Sequence, residues 1–295
     1  MEECPNLKCI ITLRYEVWQR LGRDTSGQRD QVDHFRDLLY LLNPNGLSIR
    51  KIVDKRIDIA CEQIAYEKKF DRYAPFFEDQ WVRIPTTNEQ FRYWSDFIIK
   101  SSRERPRDSI QLISKLVNAA IGDKSEKIKS EHANKILSIY SEERADDLKR
   151  EVDEECPNIK EIIRSFSDAD FDIGSFTMSP EVTYKFISTI PGRLSLKFFG
   201  KTLASEDRTD AFALWQFLHE IGFLNARVSD TRMKDGYRHI TAAEDPELVS
   251  VARWNDMQRI AWEIHPAYRS YLIKIQRERE FNIGLPKKEK KRNRH

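Results

Sequence analysis

The stretch RTDAFALWQFLHEI, residues 208–221, decides how this chain is read. Ala211, Leu214, Trp215, Leu218 and Ile221 fall at i, i+3, i+4, i+7 and i+10, the repeat of a helix that lays one face on a core. Two apolar runs follow at once, Phe223–Val228 and Tyr237–Thr241, with the polar segment Ser229–Gly236 between them. Runs of this kind, bounded by turn formers, predict a β-hairpin. A helix that leads into a hairpin is the pattern of a winged-helix module. Upstream, Ser179-Pro180-Glu181 supplies an N-cap, a proline at the first helical position and an acid matched to the helix dipole. It starts a helix that reaches about Ile190. Downstream, Met257–Gln276 reads as helix broken at Pro266. The tail from Pro286 to His295 is basic and reads as unstructured.

Further from that stretch, the N-terminal half is helical as well. Ile49, Ile52, Val53, Ile57 and Ala60 recur at helical spacing. Thr87 and Gln90 form a capping-box pattern, with Phe91, Trp94 and Ile98 on one face beyond it. Arg105-Pro106-Arg107-Asp108 ends one helix and begins another, since proline disfavours helix at the preceding residue. Asp108 is the expected cap for the run Ile110, Ile113, Leu116, Val117 and Ala120. Ser130 opens a charged helix to about Val152. Nearest the start, Lys8–Arg14 is rich in β-branched residues and reads as a buried strand, and Phe35–Leu42 as a second. Asn43-Pro44-Asn45-Gly46 is a turn. A buried strand needs neighbours on both sides, and few residues precede this one. Either its sheet is completed elsewhere, or it is an edge strand paired with later segments.

The expected fold is therefore mainly α with minor β, in four parts. Residues 1–45 read as the remnant of an α/β sheet, 46–152 as a helical domain, 153–285 as a winged-helix-like domain and 286–295 as the tail. Composition agrees. Of 295 residues, 33% are charged, above the usual ~25%, and only 10 are glycine. That favours solvated helices over a turn-rich sandwich. The net charge of +2 limits any nucleic-acid surface to a local patch. Cys4, Cys9, Cys61 and Cys156 have no C-x-x-C spacing and read as reduced thiols. No apolar stretch approaches the ~20 residues of a membrane span, and no signal-peptide pattern opens the chain. A cytoplasmic protein without membrane contact is expected.

Two segments carry a family resemblance. Leu13-Arg14-Tyr15-Glu16-Val17-Trp18 resembles the strand-then-Leu-Arg-x-Asp-Ile-aromatic segment that follows the Walker B strand in bacterial STAND/AAA-like P-loop ATPases, many of which accompany anti-phage defence genes. Arg105-Pro106-Arg107-Asp108 resembles their Gly-Arg-Pro-Arg-Asp segment, where a lid helix begins. The resemblance covers roughly residues 8 to 275. It departs at Glu16, where the family has Asp, at Glu104, where it has Gly, and in lacking the Walker A and Walker B segments. It implies a sensor strand, a lid over residues 46–152 and a winged helix, with Arg14 and Arg107 as nucleotide-sensing residues. Guanidinium forks suit phosphate oxygens. It also implies a P-loop core supplied in cis or in trans, bringing ATP and Mg. The chain alone carries no cofactor and is not expected to hydrolyse ATP. The bland alternative is that Arg14 pairs with an acid and Arg107 caps a turn.

Other motifs carry less. Gly200-Lys201-Thr202 ends like a phosphate loop, but Ser195 stands where a glycine or alanine opens that motif, and Leu196-Lys197-Phe198-Phe199 is bulky. A loop or short strand is the better reading. Asp168, Asp170 and Asp172 alternate, yet Ile173 and Ser179 occupy the glycine and acid positions of a calcium loop. The histidines show no metal spacing. No catalytic triad or carboxylate pair emerges, so no catalytic and no metal residue is assigned. On the hairpin, Arg227, Arg232, Lys234 and Arg238 are candidate contacts to duplex DNA by its backbone. Contact with protein is the rival use of the same module, and homo-oligomerisation is left open.

Overall fold

In a computed structural model the chain forms two units, Met1–Pro44 and Asn45–His295. The structure describes residues 10–12, 40, 46–67, 71–84, 91–103, 105–172, 175–233 and 235–283. Of the run expected as a buried strand, Ile10 and Ile11 are exposed and belong to no strand. An apolar run becomes a strand only where another edge takes its N–H and C=O groups, and no described strand pairs with it. Arg14, most of Phe35–Leu42, Thr87, Gln90, Lys234 and the tail lie outside the described residues.

The second unit is mainly α with minor β. α1 (Gly46–Gln63) buries Ile49, Val53, Ile57 and Cys61, an i, i+4 stripe, and leaves Ile52 outside. β1 (Trp81–Arg83) and β2 (Phe91–Tyr93) pair antiparallel with Val82 opposite Arg92. α2 (Trp94–Lys100) follows directly. The helix expected to include Phe91 thus begins three residues later. Trp81 stacks on Tyr93 with ring centroids 3.7 Å apart, a cross-strand aromatic pair that favours pairing over a helical turn. α3 (Pro106–Gly122) starts with Pro106 in its first turn, after Arg105 in extended conformation. There the missing proline N–H costs no intrahelical bond.

α4 (Ser130–Glu151) has 22 residues and spans about 33 Å at 1.5 Å per residue. It is the spine. Ala133, Leu137 and Tyr140 in its first half join α1, α2 and α3 in one core. Ala145 and Leu148 in its second half join another. That second core also holds α5 (Ile159–Ser165), β3 (Thr177–Met178), α6 (Pro180–Arg193), α7 (Arg208–Glu220), β6 (Leu224–Ser229), β7 (Tyr237–Ile240), β8 (Ala261–Ile264) and α9 (Pro266–Ile283). Between α6 and α7, β4 (Lys197–Phe198) and β5 (Lys201–Thr202) make a small hairpin, with α8 (Trp254–Met257) later in the chain.

Ser179 caps as the sequence reading expects, and Asp207 adds a cap that the reading did not name. Ser179 Oγ accepts the Val182 N–H at 3.3 Å and starts α6. Asp207 accepts the Asp210 N–H at 2.9 Å and starts α7. The β6–β7 hairpin pairs Ala226 with Ile240 and Ser229 with Tyr237. One correction concerns Met257–Gln276. Its first part is strand, not helix: β8 lies between β3 and β6 in the antiparallel order β3-β8-β6-β7. Trp262 and Ile264 are fully buried there, and the sheet takes the backbone bonds that a helix would have used. Gly200-Lys201-Thr202 lies in the β4–β5 hairpin. Phe199 and Gly200 both have positive φ, +47° and +76°, as a tight mirror-type turn requires.

Candidate functional site

Where the two cores meet on α4, a charged cluster has a buried centre, Arg103, Asp108 and Arg144, and a partly exposed rim, Arg105, Asp147 and Glu151. Tyr140, Arg144, Asp147 and Glu151 lie along one face of the helix, at i, i+4, i+7 and i+11. The α2–α3 connection brings Arg103 and Arg105, and the first turn of α3 brings Asp108. Asp108 is not the cap expected from the sequence. Its carboxylate accepts from Arg103 Nε at 2.8 Å on one oxygen and pairs with Arg144 Nη1 through the other. Arg144 Nη2 reaches Asp147 at 2.8 Å. Arg105 pairs with Glu151, and Arg103 stands 3.7 Å from the same carboxylate. Three cations meet three anions. Buried charges persist only when paired and hydrogen-bonded in this way.

The cluster is tied to both cores. Tyr140 donates its hydroxyl to the Ser101 carbonyl at 2.8 Å. From the second core, Arg103 donates to Tyr268 Oη on α9 at 3.4 Å. The Tyr271 N–H of α9 donates to Ser141 Oγ on α4 at 3.0 Å. Burial alone would lower the Arg103 pKa. Tyr268, Asp108 and Glu151 outweigh it and hold the group above its ordinary value. Arg103 has φ +31°, a left-handed conformation that costs a non-glycine residue on the order of 1–3 kcal/mol. Its ion pairs are what hold it there.

Arg107 projects from this cluster. It sits in the first turn of α3, next to Asp108, and is exposed. Among the described residues it makes no ion pair.

On the hairpin, Arg232 and Arg238 gather at Asp230 while Arg227 lies on the opposite face beside Tyr237, and each faces an acid of its own module. Arg232 forks onto Asp230 at 2.9 and 2.8 Å. Arg238 donates to Glu244 at 2.7 Å and lies 3.9 Å from Asp230. Arg227 stacks on the Tyr237 ring at 3.7 Å and stands 3.9 Å from Glu263. Hydrogen bonds from Arg232 depress the Asp230 carboxyl to about 2. The helix ahead of the hairpin buries Ala211, Phe212, Leu214, Trp215, Phe217, Leu218 and His219 and leaves a narrow outer face with Arg208, Thr209 and Glu220 exposed. A recognition helix in a major groove needs an open face.

Among the described residues no group of three His, Cys, Asp or Glu side chains could hold a metal ion. No described helix is long and apolar enough to cross a membrane. Sequence reasoning missed Arg103, Arg144 and Glu151. The signal was the spacing on α4, where charged residues continue the line of Tyr140 instead of the solvent face.

Residues 48–149, about a third of the chain, match a family model described as a FunZ-associated C-terminal helical domain. They run from α1 to the end of α4 and so include the first core and most of the charged junction. The description fits the C-terminal part of a larger protein. No curated protein and no solved structure matches the chain.

Proposed function

We propose that this chain is a regulatory C-terminal portion of a P-loop ATPase, in which Arg107 meets the nucleotide and the charged junction passes that contact on to the second core. The observation that carries the reading is the contrast between Arg107 and its neighbour. Arg107 is exposed and unpaired among the described residues, while Asp108 is locked to Arg103 and Arg144. A free guanidinium can fork onto phosphate oxygens, and its planar fork loses less freedom per hydrogen bond formed than a lysine does. A force on it travels through Asp108 to α4 and through Arg103 to Tyr268 on α9. The family description of residues 48–149 supports the C-terminal, partner-dependent part of the reading. ATP and Mg belong to the P-loop core, in cis or in trans, and Arg14 would be the second sensing residue. The resemblance to defence-associated ATPases gives anti-phage defence as the biological setting.

DNA contact through the hairpin has weaker support. Arg227, Arg232 and Arg238 would first have to leave Glu263, Asp230 and Glu244. Their release of counterions from DNA would be small.

The test is a photo-crosslinking amino acid at position 107, expressed in the native cells. Crosslinked peptides that fall within a Walker A-containing sequence, in this polypeptide or a partner, and increase with ATP support the reading. Crosslinks confined to proteins without a phosphate loop, or to DNA, contradict it.

A further inference from the structure

We infer that the cleft between β2, α2 and α9 is a binding site for a single phosphoryl group, carried as free phosphate or as the terminal phosphate of a small molecule. Three cations from three elements converge on it: Arg92 from β2, Lys100 from α2 and Arg269 from α9. Two of them are already answered. Lys100 pairs with Asp235, and Arg269 pairs with Glu263. Arg92 is not. It is half-buried and makes no ion pair among the described residues. The local charge is therefore in excess by one cation, in a place where water screens poorly.

Of the other walls, Ile84, Phe97, Leu137 and Pro266 are apolar, and the two serines supply the hydroxyl donors for a tetrahedral oxyanion. Ser101 and Ser270 line the cleft, and neither hydroxyl bonds to another described residue. Each can donate one hydrogen bond. Pro266, Arg269 and Ser270 at the start of α9 form one side, where the helix dipole adds a weak pull on an anion although the Ala267 and Tyr268 N–H groups are bonded to His265. Burial lowers the Arg269 pKa, and Arg92 acts in the same direction against the pull of Glu263. An anion between the two guanidinium groups removes that repulsion. The cavity is about 30 Å³, two to three times the ~10–15 Å³ that one water needs. That volume excludes a base or sugar and takes only the outer oxygens of a phosphoryl group, the rest lying at the open mouth. Arginine forks match phosphate better than a point charge does.

The site bridges the two cores, because Arg92 and Lys100 belong to the first and Arg269 and Ser270 to the second. It does not depend on Arg107. The experiment is calorimetric titration of the whole chain in phosphate-free buffer with inorganic phosphate, with acetate and ATP as separate arms. Saturable one-to-one binding of phosphate, weakened about tenfold or more by Arg92→Gln or Ser270→Ala and unchanged by Arg107→Gln, supports the site. ATP that competes with phosphate points to a nucleotide terminus as the source, and ATP that does not points to the free ion. The absence of saturable phosphate binding overturns the inference, as does binding that acetate matches or that survives both Arg92→Gln and Lys100→Gln. Loss of binding on Arg107→Gln alone also counts against it, since it moves the phosphate to the other site.

Discussion

At the junction, the side chains of Arg103, Asp108 and Arg144 are 6%, 3% and 3% exposed. On the β6–β7 hairpin, Arg232 holds Asp230 with two good hydrogen bonds while its own side chain is 86% exposed. The residue types and the geometry are alike, and the surroundings are not. In water the pair trades solvent contacts for each other and gains little. In the closed junction each charge depends on its partner, because the alternative is an unpaired ion away from water. The junction is therefore the place where one contact changes the whole molecule, and the hairpin is not.

The largest effect expected on stability is at Asp108. Asp108→Leu leaves Arg103 and Arg144 buried without their shared carboxylate and should cost about 3–5 kcal/mol, read as a lower denaturation midpoint in urea. A loss no larger than that of a surface substitution would break the comparison.

The next effect is on pH dependence. His265 Nδ1 accepts the Ala267 N–H at 3.1 Å at the start of α9. Its pKa is pushed from 6.5 down to about 3 by burial, then by Arg269 and Arg103. Between those values the unfolded chain binds a proton that the folded chain refuses. Its contribution is thus complete above pH 6.5 and is lost as pH falls toward 3. Glu263 acts in the same direction. Burial would raise it, but the hydrogen bond from His239 and the charge of Arg269 hold it at about 2. Its contribution is present above pH 4.5 and lost as pH falls toward 2. His265→Asn keeps a capping acceptor and should flatten the loss of thermal midpoint between pH 6.5 and 4.5.

Tyr268→Phe removes one hydrogen bond from Arg103 and should cost about 1 kcal/mol in the same urea assay. Arg232→Ala should leave the midpoint unchanged within error. A clear shift there would mean that the hairpin pair carries structural weight that its exposure denies.

Much of the fold is legible in the sequence where local signals agree. Ser179-Pro180 and the 208–221 stripe set α6 and α7 because cap, proline and periodicity point the same way. β8 was not legible. The four residues Ala261–Ile264, with Glu263 among them, are too few for periodicity to separate strand from helix, and the sheet partners Thr177 and Leu224 lie far off in the chain. β2 was hidden for a similar reason: the Thr87–Gln90 cap pattern outweighed a strand of three residues. The junction was half legible. Arg107 stood out through its Arg-Pro-Arg-Asp setting. Arg144 did not, because its partner Asp108 lies 36 residues away, and on α4 it read as one more charge on a solvated helix.

The measurement that bears most directly on Arg107 is the ATP hydrolysis rate of the native assembly purified from its own cells, with wild-type chain and with Arg107→Ala. A sensing arginine that contacts the γ-phosphate should cost on the order of 10²-fold or more in rate, with the assembly intact and its denaturation midpoint unchanged. An Arg107→Ala assembly that hydrolyses ATP at the wild-type rate would contradict the proposed role, and so would a native assembly with no ATPase activity.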